Sequence, residues 1–542
     1  MTGRSAQLSF RSRLWRVVRW AGLGVAVPAL WACTSRTLEP GIINPTANLT
    51  AKVTQKINNN IDILFMIDNS SSMTSMQQKL LMQLPAFMQV LQMLPNGLPN
   101  VHIAVVSSDM GAPGDSTSSI ACTQYGDDGN FQAMPRGSCT STTLSSGSNF
   151  ISDVDKMPNF TDPIEKVFQC IALLGASGCG FEHQLASIDR ALGADNIDAS
   201  GTPHPPDSNA NFLRPEAYLG IVLLTNEDDC SAPANTQLFS LNGQQQGTMN
   251  QLGPIANYRC NQFGHLCKDA NGNMGSPPLA PPAGATQETF TNCVSNDSGN
   301  PQQQTLTPVT KFVQDIKTLK TDPDNTILVA AITAPPDPYV VEWLPPASPP
   351  PGTSGQVWPQ VMHSCGAKGG PDVAPNIPAN QQVADGSFGD PGVRITQFVK
   401  AFPNYFLSSI CDASYAASMT AIATKLGALI KPNCIKGTIQ KDDNGQPVCS
   451  VTNNLTGANN TKTSVKVANC AENGNAPPCW TLNADPMACP GGGVNLKLMQ
   501  DNAAMNAASL DSSVDCSLCL QGSTAPGCPC PNDPNTLYPN CP

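Results

Sequence analysis

Two hydrophobic periods alternate along the chain. Ile61-Asp62-Ile63-Leu64-Phe65-Met66-Ile67 is almost continuously apolar and β-prone, the pattern of a strand buried on both faces. Directly after it, Met76, Leu80, Leu84, Phe87, Leu91 and Leu94 recur every three or four residues until Pro95 and Gly97, which predicts a helix over 73–94. Further strands are expected at 101–106, 218–224 and 326–332, with an edge strand at 404–409. Further helices are expected at 163–174, 181–192, 307–318 and 415–430. Strands alternating with helices imply parallel pairing through right-handed crossovers. The expected fold class is therefore α/β over residues 56–432, a doubly wound, mostly parallel sheet with helices on both faces.

That span is long for one such domain. The surplus lies in stretches at about 111–160, 232–305 and 335–391, where Pro, Gly, Ser, Asn and Gln dominate and neither period is visible; these read as insertions. From 433 to 542 the chain breaks into short polar runs carrying ten cysteines, a separate Cys-rich region. At the other end, Arg4, Arg11, Arg13, Arg16 and Arg19 precede a short apolar stretch, 20–31, which reads as a secretory signal over 1–32. Its end, Leu30-Trp31-Ala32-Cys33, resembles a bacterial lipobox and makes Cys33 the candidate lipidation site. Residues 33–55 are then expected to be a polar linker between lipid and domain.

Composition narrows the function. The 542 residues carry a net charge of -11, which falls to -16 once the five arginines of the signal are removed, and no Lys/Arg-rich run exists. Nucleic acid is thereby disfavoured as a partner, because phosphate neutralisation needs clustered cations. Of 21 cysteines, the 20 other than Cys33 form an even set on an exported chain, enough for ten bridges. Short loops such as Cys122 to Cys139, Cys170 to Cys179 and Cys260 to Cys267 are sterically plausible pairings. Cys516, Cys519, Cys528 and Cys530 have zinc-like spacing, but the compartment favours disulfides.

The chemistry-bearing pattern follows the first strand. Asp68, Ser70 and Ser72 stand at i, i+2 and i+4 on the carboxyl edge of the sheet, where open α/β sheets bind ligands. A carboxylate and two hydroxyls aimed at one point suit a hard divalent cation, Mg2+ or else Ca2+ or Mn2+, with water completing the shell. The bland alternative is that Asp68 and Ser72 only cap the helix. The strand at 218–224 also ends in polar and acidic residues, Asn226, Glu227, Asp228 and Asp229, for which the alternative is an acidic turn.

This strand together with Asp68-Asn69-Ser70-Ser71-Ser72 resembles the metal-ion-dependent adhesion site, DxSxS, of von Willebrand factor type A domains. The resemblance implies a second loop with a Thr, to which Ser177 of Gly175-Ala176-Ser177-Gly178-Cys179-Gly180 corresponds. It also implies an Asp on a third loop, where this chain has Asn226 instead, with Glu227 or Asp228 as substitutes. The implied function is a non-enzymatic, metal-dependent binding or adhesion module, lipid-anchored in the bacterial cell envelope at the outer membrane or cell surface. It would engage a protein or glycan that offers an acidic group to the metal. The competing reading is an envelope scaffold in which the metal only stabilises loops. An enzyme is not expected: His102, His183, His204, His265 and His363 form no HxxxH or HExxH pattern, and no matched acid and base accompany the acidic residues. Asp269-Ala270-Asn271-Gly272-Asn273 and Asp442-Asp443-Asn444-Gly445 lack the twelfth-position Glu of a calcium loop and read as turns.

Overall fold

The computed structural model describes residues 50–541 except 95–96, 113–121, 140–143, 199–201, 240–251, 254–256, 299–305, 346–356, 431–433, 457–460, 485–488, 490–492, 500–508 and the single positions 138, 146, 234, 235 and 237. The expected signal, Cys33 and most of the linker lie outside the described residues. The first element, β1 (Thr50–Ile57), falls where the linker was expected to end.

The chain then builds a mixed α/β unit. Strand β2 (Asn60–Ile67) leads through a short 3-10 turn into α1 (Thr74–Gln92), followed by β3 (Asn100–Ser107), the short pair β4 (Ile151–Val154) and β5 (Met157–Pro158), and helices α2 (Ile164–Ala172) and α3 (Gln184–Leu192). Next come β6 (Tyr218–Leu224), α4 (Tyr258–Gly264), β7 (His265–Lys268), β8 (Met274–Gly275), β9 (Gln287–Ser295), α5 (Val309–Thr318), α6 (Pro323–Thr326) and β10 (Ile327–Thr333). The unit ends with β11 (Tyr339–Leu344), β12 (Trp358–Val361), α7 (Val393–Lys400), β13 (Tyr405–Ser409) and α8 (Ala416–Leu429).

The main sheet has the order β13-β10-β6-β2-β3-β4-β5. Its first five strands are parallel and β4 is antiparallel to β3. Successive side chains of a strand point to opposite faces, and β2 separates them accordingly. Ile61, Ile63, Phe65 and Ile67 pack with Leu80, Leu84 and Phe87 of α1, Phe168 of α2 and Ile422 of α8. Leu64 and Met66 pack with Ile188 of α3, Phe312 of α5 and Phe398 of α7. Phe65 meets Phe87 and Phe168 edge-on, with ring centroids 5.5 and 4.8 Å apart. The remaining inward residue, Asp62, is fully buried and pairs with Arg214 at 2.8 Å.

Beside this pair His102 donates from Nδ1 to the Phe212 carbonyl at 2.8 Å. Burial, reinforced by the Arg214 charge, lowers its pKa from 6.5 to about 3. The unfolded chain therefore takes up a proton below pH 6.5 that the folded chain refuses, and this residue withdraws stability as pH falls from 6.5 towards 3. His102→Asn keeps the donor and removes the titration. Relative to the variant, the wild type is expected to lose about 1.4 kcal/mol per pH unit below 6.5. Urea unfolding of both proteins between pH 7 and pH 4.5 measures it; parallel curves would contradict the assignment.

The stretches read as patternless insertions carry structure of their own. The first contributes β4 and β5 to the edge of the main sheet, and the other two together form an antiparallel five-stranded sheet, β12-β11-β9-β7-β8. Its core is aromatic, with Tyr339, Phe290 and Trp343. The Cys-rich region is likewise a sheet. Strands β14 (Cys434–Ile435), β15 (Thr438–Ile439), β16 (Cys449–Thr456), β17 (Lys462–Asn469), β18 (Cys479–Asn483), β19 (Val494–Met499) and β20 (Ser509–Cys519) surround Ile435, Val451, Val467, Trp480, Leu496, Val514 and Leu518. β1 completes it, pairing with β20 over all eight of its residues, so chain from both sides of the α/β unit meets in one sheet.

Ten disulfides join all 20 expected cysteines, the usage of a chain that folds in an oxidising compartment. The pairing differs from the short loops expected. Cys122–Cys179 encloses Cys139–Cys170, while Cys260 pairs with Cys230 and Cys267 with Cys293. Nearness in sequence misleads here because Cys122–Cys179, Cys139–Cys170 and Cys230–Cys260 each pin an insertion to a segment that the fold brings alongside, while Cys267–Cys293 joins two strands of one insertion. No helix among the described residues is long and apolar enough to cross a membrane.

Candidate functional site

Parallel strands deliver their C-terminal ends to one edge, and the loops after β2, β3 and β6 meet there. Asp68, the first residue beyond β2, donates its amide to the Leu224 carbonyl at 2.9 Å, which locks the first loop to the end of β6. Its side chain is fully buried and accepts three hydrogen bonds. Oδ1 takes the Ser70 amide at 2.8 Å and the Ser108 hydroxyl at 3.2 Å, and Oδ2 takes the Thr225 hydroxyl at 2.7 Å. Burial raises its pKa, and these donors oppose the rise.

In front of Asp68 three neutral oxygens form a row. Ser70 Oγ lies 3.2 Å from Ser72 Oγ, and the Ser72 hydroxyl donates to Asn226 Oδ1 at 3.0 Å. Asn226 is fully buried, and its Nδ2 has no hydrogen-bond partner. The amide thus turns its oxygen to the serines although its nitrogen goes unsatisfied, an arrangement that costs about 1–3 kcal/mol.

The second loop is stitched on from two sides. Gln77 of α1 donates through Nε2 to the Asp68 carbonyl at 2.7 Å and the Gly175 carbonyl at 2.8 Å, and its Oε1 accepts the Gly175 amide. The Gly178 amide donates to the Asn69 carbonyl at 2.8 Å. A Cβ at Gly178 would stand 2.2 Å from Asn69 Oδ1, so a larger residue there would displace the Asn69 side chain. Ser177 sits exposed on that loop and makes no hydrogen bond to the serine row.

The acidic run after Asn226 divides into three roles. Asp228 Oδ2 accepts from His265 Nε2 and the Arg394 amide, both at 2.8 Å, and Oδ1 accepts the Ile395 amide at 3.0 Å. Burial alone would raise its pKa; the His265 and α7 donors hold it below the ordinary value. Asp229 accepts the Leu185 amide at the start of α3 and pairs with Arg394 at 2.9 Å. These two carboxylates cap helices whose N-termini carry unsatisfied amides and positive dipole ends. Asp228 is thus engaged with His265 and α7 and makes no hydrogen bond to the serine row, and the run is not the solvated turn of the alternative, since Asp228 and Asp229 are both buried. Glu227 turns to Asn257 Nδ2, which hydrogen-bonds its Oε2, and makes no hydrogen bond to Ser70 or Ser72.

Thr225, Ser108 and Gln77 were not among the expected residues. A hydroxyl beside Asn226 and another at the end of β3 were the signals available; Gln77 had none beyond its helical position. Asp109 closes a strand-end turn through the Gly111 amide. Asp269 and Asp442 each accept backbone amides two and four residues on, which is turn closure.

The donor set fits a hard cation. Two hydroxyls and an amide oxygen share one small region, a carboxylate backs them, and hard divalent ions take such oxygens with water filling the remaining positions. Among the described residues no three His, Cys, Asp or Glu side chains converge as a metal cluster. The candidate site is of the hydroxyl and amide type instead.

No family model matches the sequence, and no curated protein matches it. Solved structures similar to the chain include the pilus adhesin SpaC from Lactobacillus rhamnosus GG in its open conformation, at 11% identity and TM-score 0.27, covering 86% of this chain and 40% of that one. A von Willebrand factor type A protein from Catenulispora acidiphila aligns at 10% identity and TM-score 0.25, covering 87% and 61%. The three N-terminal domains of the type V pili tip protein Mfa5 from Porphyromonas gingivalis align at 12% identity and TM-score 0.27, covering 88% and 66%. This chain thus spans between two fifths and two thirds of those structures, at similarity too low to carry a functional argument.

Proposed function

We propose that the chain is a non-enzymatic, divalent-cation-dependent binding module of von Willebrand factor type A layering, doubly wound, held in the bacterial cell envelope by lipid on Cys33. The observation that carries this reading is the row Ser70, Ser72 and Asn226 in front of buried Asp68, at the edge where open α/β sheets bind ligands. Ser70, Ser72 and Asn226 would hold Mg2+, or Ca2+ or Mn2+, with Asp68 neutralising charge from behind. When bound, the ion supplies an electrophilic position for a carboxylate from a protein or glycan partner. With a neutral amide where a carboxylate would otherwise stand, less negative charge surrounds the ion, which favours an external acid as the last ligand.

The scaffold alternative, in which the ion only fixes loops, gains little support. The three loops are already joined by Asp68 to Thr225, Gln77 to Gly175 and Gly178 to Asn69. Retention on immobilised peptides and oligosaccharides that each carry one carboxylate separates the readings. Retention in Mg2+ or Mn2+ is expected to fall at least tenfold with EDTA and equally with Asp68→Ala. A melting temperature that drops while retention is unchanged would reverse the choice.

A further inference from the structure

Behind the third loop lies a cavity of about 10 Å3, room for one water-sized particle, bounded by Glu182, Glu227, Asp390, Asn257 and Asn261. Its acids are not equivalent. Asp228 and Asp229, also on its wall, have their own partners in His265, the α7 amides and Arg394. Asp390 is held by His363 Nδ1 at 2.5 Å. Glu182 and Glu227 have no such counter-charge: Glu182 feels the negative Glu227 and Asp68, and Glu227 feels the negative Asp390 and Asp68. Glu182 is 2% exposed, and its Oε1 has no hydrogen-bond partner. Glu182 and Glu227 lie within side-chain hydrogen-bonding reach of each other, and two buried carboxylates so close, one with an oxygen that no donor meets, are costly unless a cation or a proton enters.

We propose that this cavity is a second divalent-cation site, separate from the serine row, in which the two carboxylates Glu182 and Glu227 bind Ca2+ with oxygen support from the amides of Asn257 and Asn261. Calcium suits it because it accepts irregular sets of carboxylate and amide oxygens. The ion would tie three segments together: the approach to α3 through Glu182, the third loop through Glu227, and the 232–305 insertion through Asn257. That insertion is already bolted to the same loop by Cys230–Cys260. Asp390 also donates its amide to the Asn226 carbonyl at 2.8 Å, so an ion here would steady the residue that completes the serine row.

Calorimetric titration of the disulfide-intact full chain with Ca2+ tests the proposal by stoichiometry. The wild type is expected to bind two equivalents, Glu182→Gln/Glu227→Gln one, and Ser70→Ala/Ser72→Ala one. If the glutamine variant binds as many equivalents as the wild type, the cavity holds a shared proton and the proposal is overturned. If only the serine variant matches the wild type, the second site stands and the reading of the serine row fails. Should the glutamine variant not fold, Asn257→Asp decides, since an added carboxylate is expected to tighten one Ca2+ equivalent at least tenfold, and unchanged affinity for both would overturn the proposal.

Discussion

Arg394→Met is expected to destabilise the folded chain by about 3–5 kcal/mol, because it strands a buried charge. Arg394 and Asp229 are both fully buried, and the guanidinium reaches Asp229 Oδ2 through Nε at 3.1 Å and Nη2 at 2.9 Å, the Ser295 hydroxyl at 2.9 Å and the Thr307 carbonyl at 2.7 Å. The pair joins the third loop to α7, and Asp229 also caps α3, so its loss reaches the loop that carries Asn226. Removing both charges relieves the stranded one: Asp229→Asn/Arg394→Met is expected to be more stable than Arg394→Met alone. Urea unfolding of the three proteins measures both differences. A single-variant cost under about 1 kcal/mol would show that solvent reaches the pair.

Thiol reduction is expected to have the second large effect, confined at first to the Cys-rich sheet. Five bridges serve residues 434–541, and its hydrophobic cluster is small beside the two that flank the main sheet. Each native bridge in a small domain contributes roughly 2–5 kcal/mol, so five contribute about 10–25 kcal/mol, as much as or more than the roughly 5–15 kcal/mol that a domain usually holds in reserve. Limited proteolysis after graded reduction should therefore cut within 434–541 while a fragment spanning the main sheet persists. Because β1 borrows its hydrogen bonds from β20, the first cleavage is expected to be matched by exposure of residues 50–57. Simultaneous loss of both regions would contradict this order.

The elements legible in the sequence are those whose side chains are buried in a regular period. Tyr218–Leu224 is buried at every position and was expected at those bounds; Ala416–Leu429 and Val309–Thr318 differ from expectation only at their ends. Most strands that escaped are one-sided or short, β11 being buried on both faces but hidden among Pro-rich flanks. Lys462–Asn469 buries only Val467 and Asn469, and its partners supply a pattern that its own residues lack. Helix α7 followed a stretch of Pro and Gly, and its start is fixed by Asp228, which lies 166 residues earlier. At the site, Asp68, Ser70 and Ser72 were legible because they are consecutive with a strand end. Asn226 was placed by its position after β6. The separate partners of Glu227, Asp228 and Asp229 were not legible, because nothing local tells a carboxylate that caps a distant helix from one that awaits a cation.

Diffraction from crystals soaked in Mn2+ and measured at its absorption edge tests the central claim most directly. An anomalous peak within bonding distance of Ser70 Oγ and Ser72 Oγ, absent from Ser70→Ala/Ser72→Ala crystals, is the predicted result. Ordered loops after β2 and β6 with no manganese at the serine row would contradict the account.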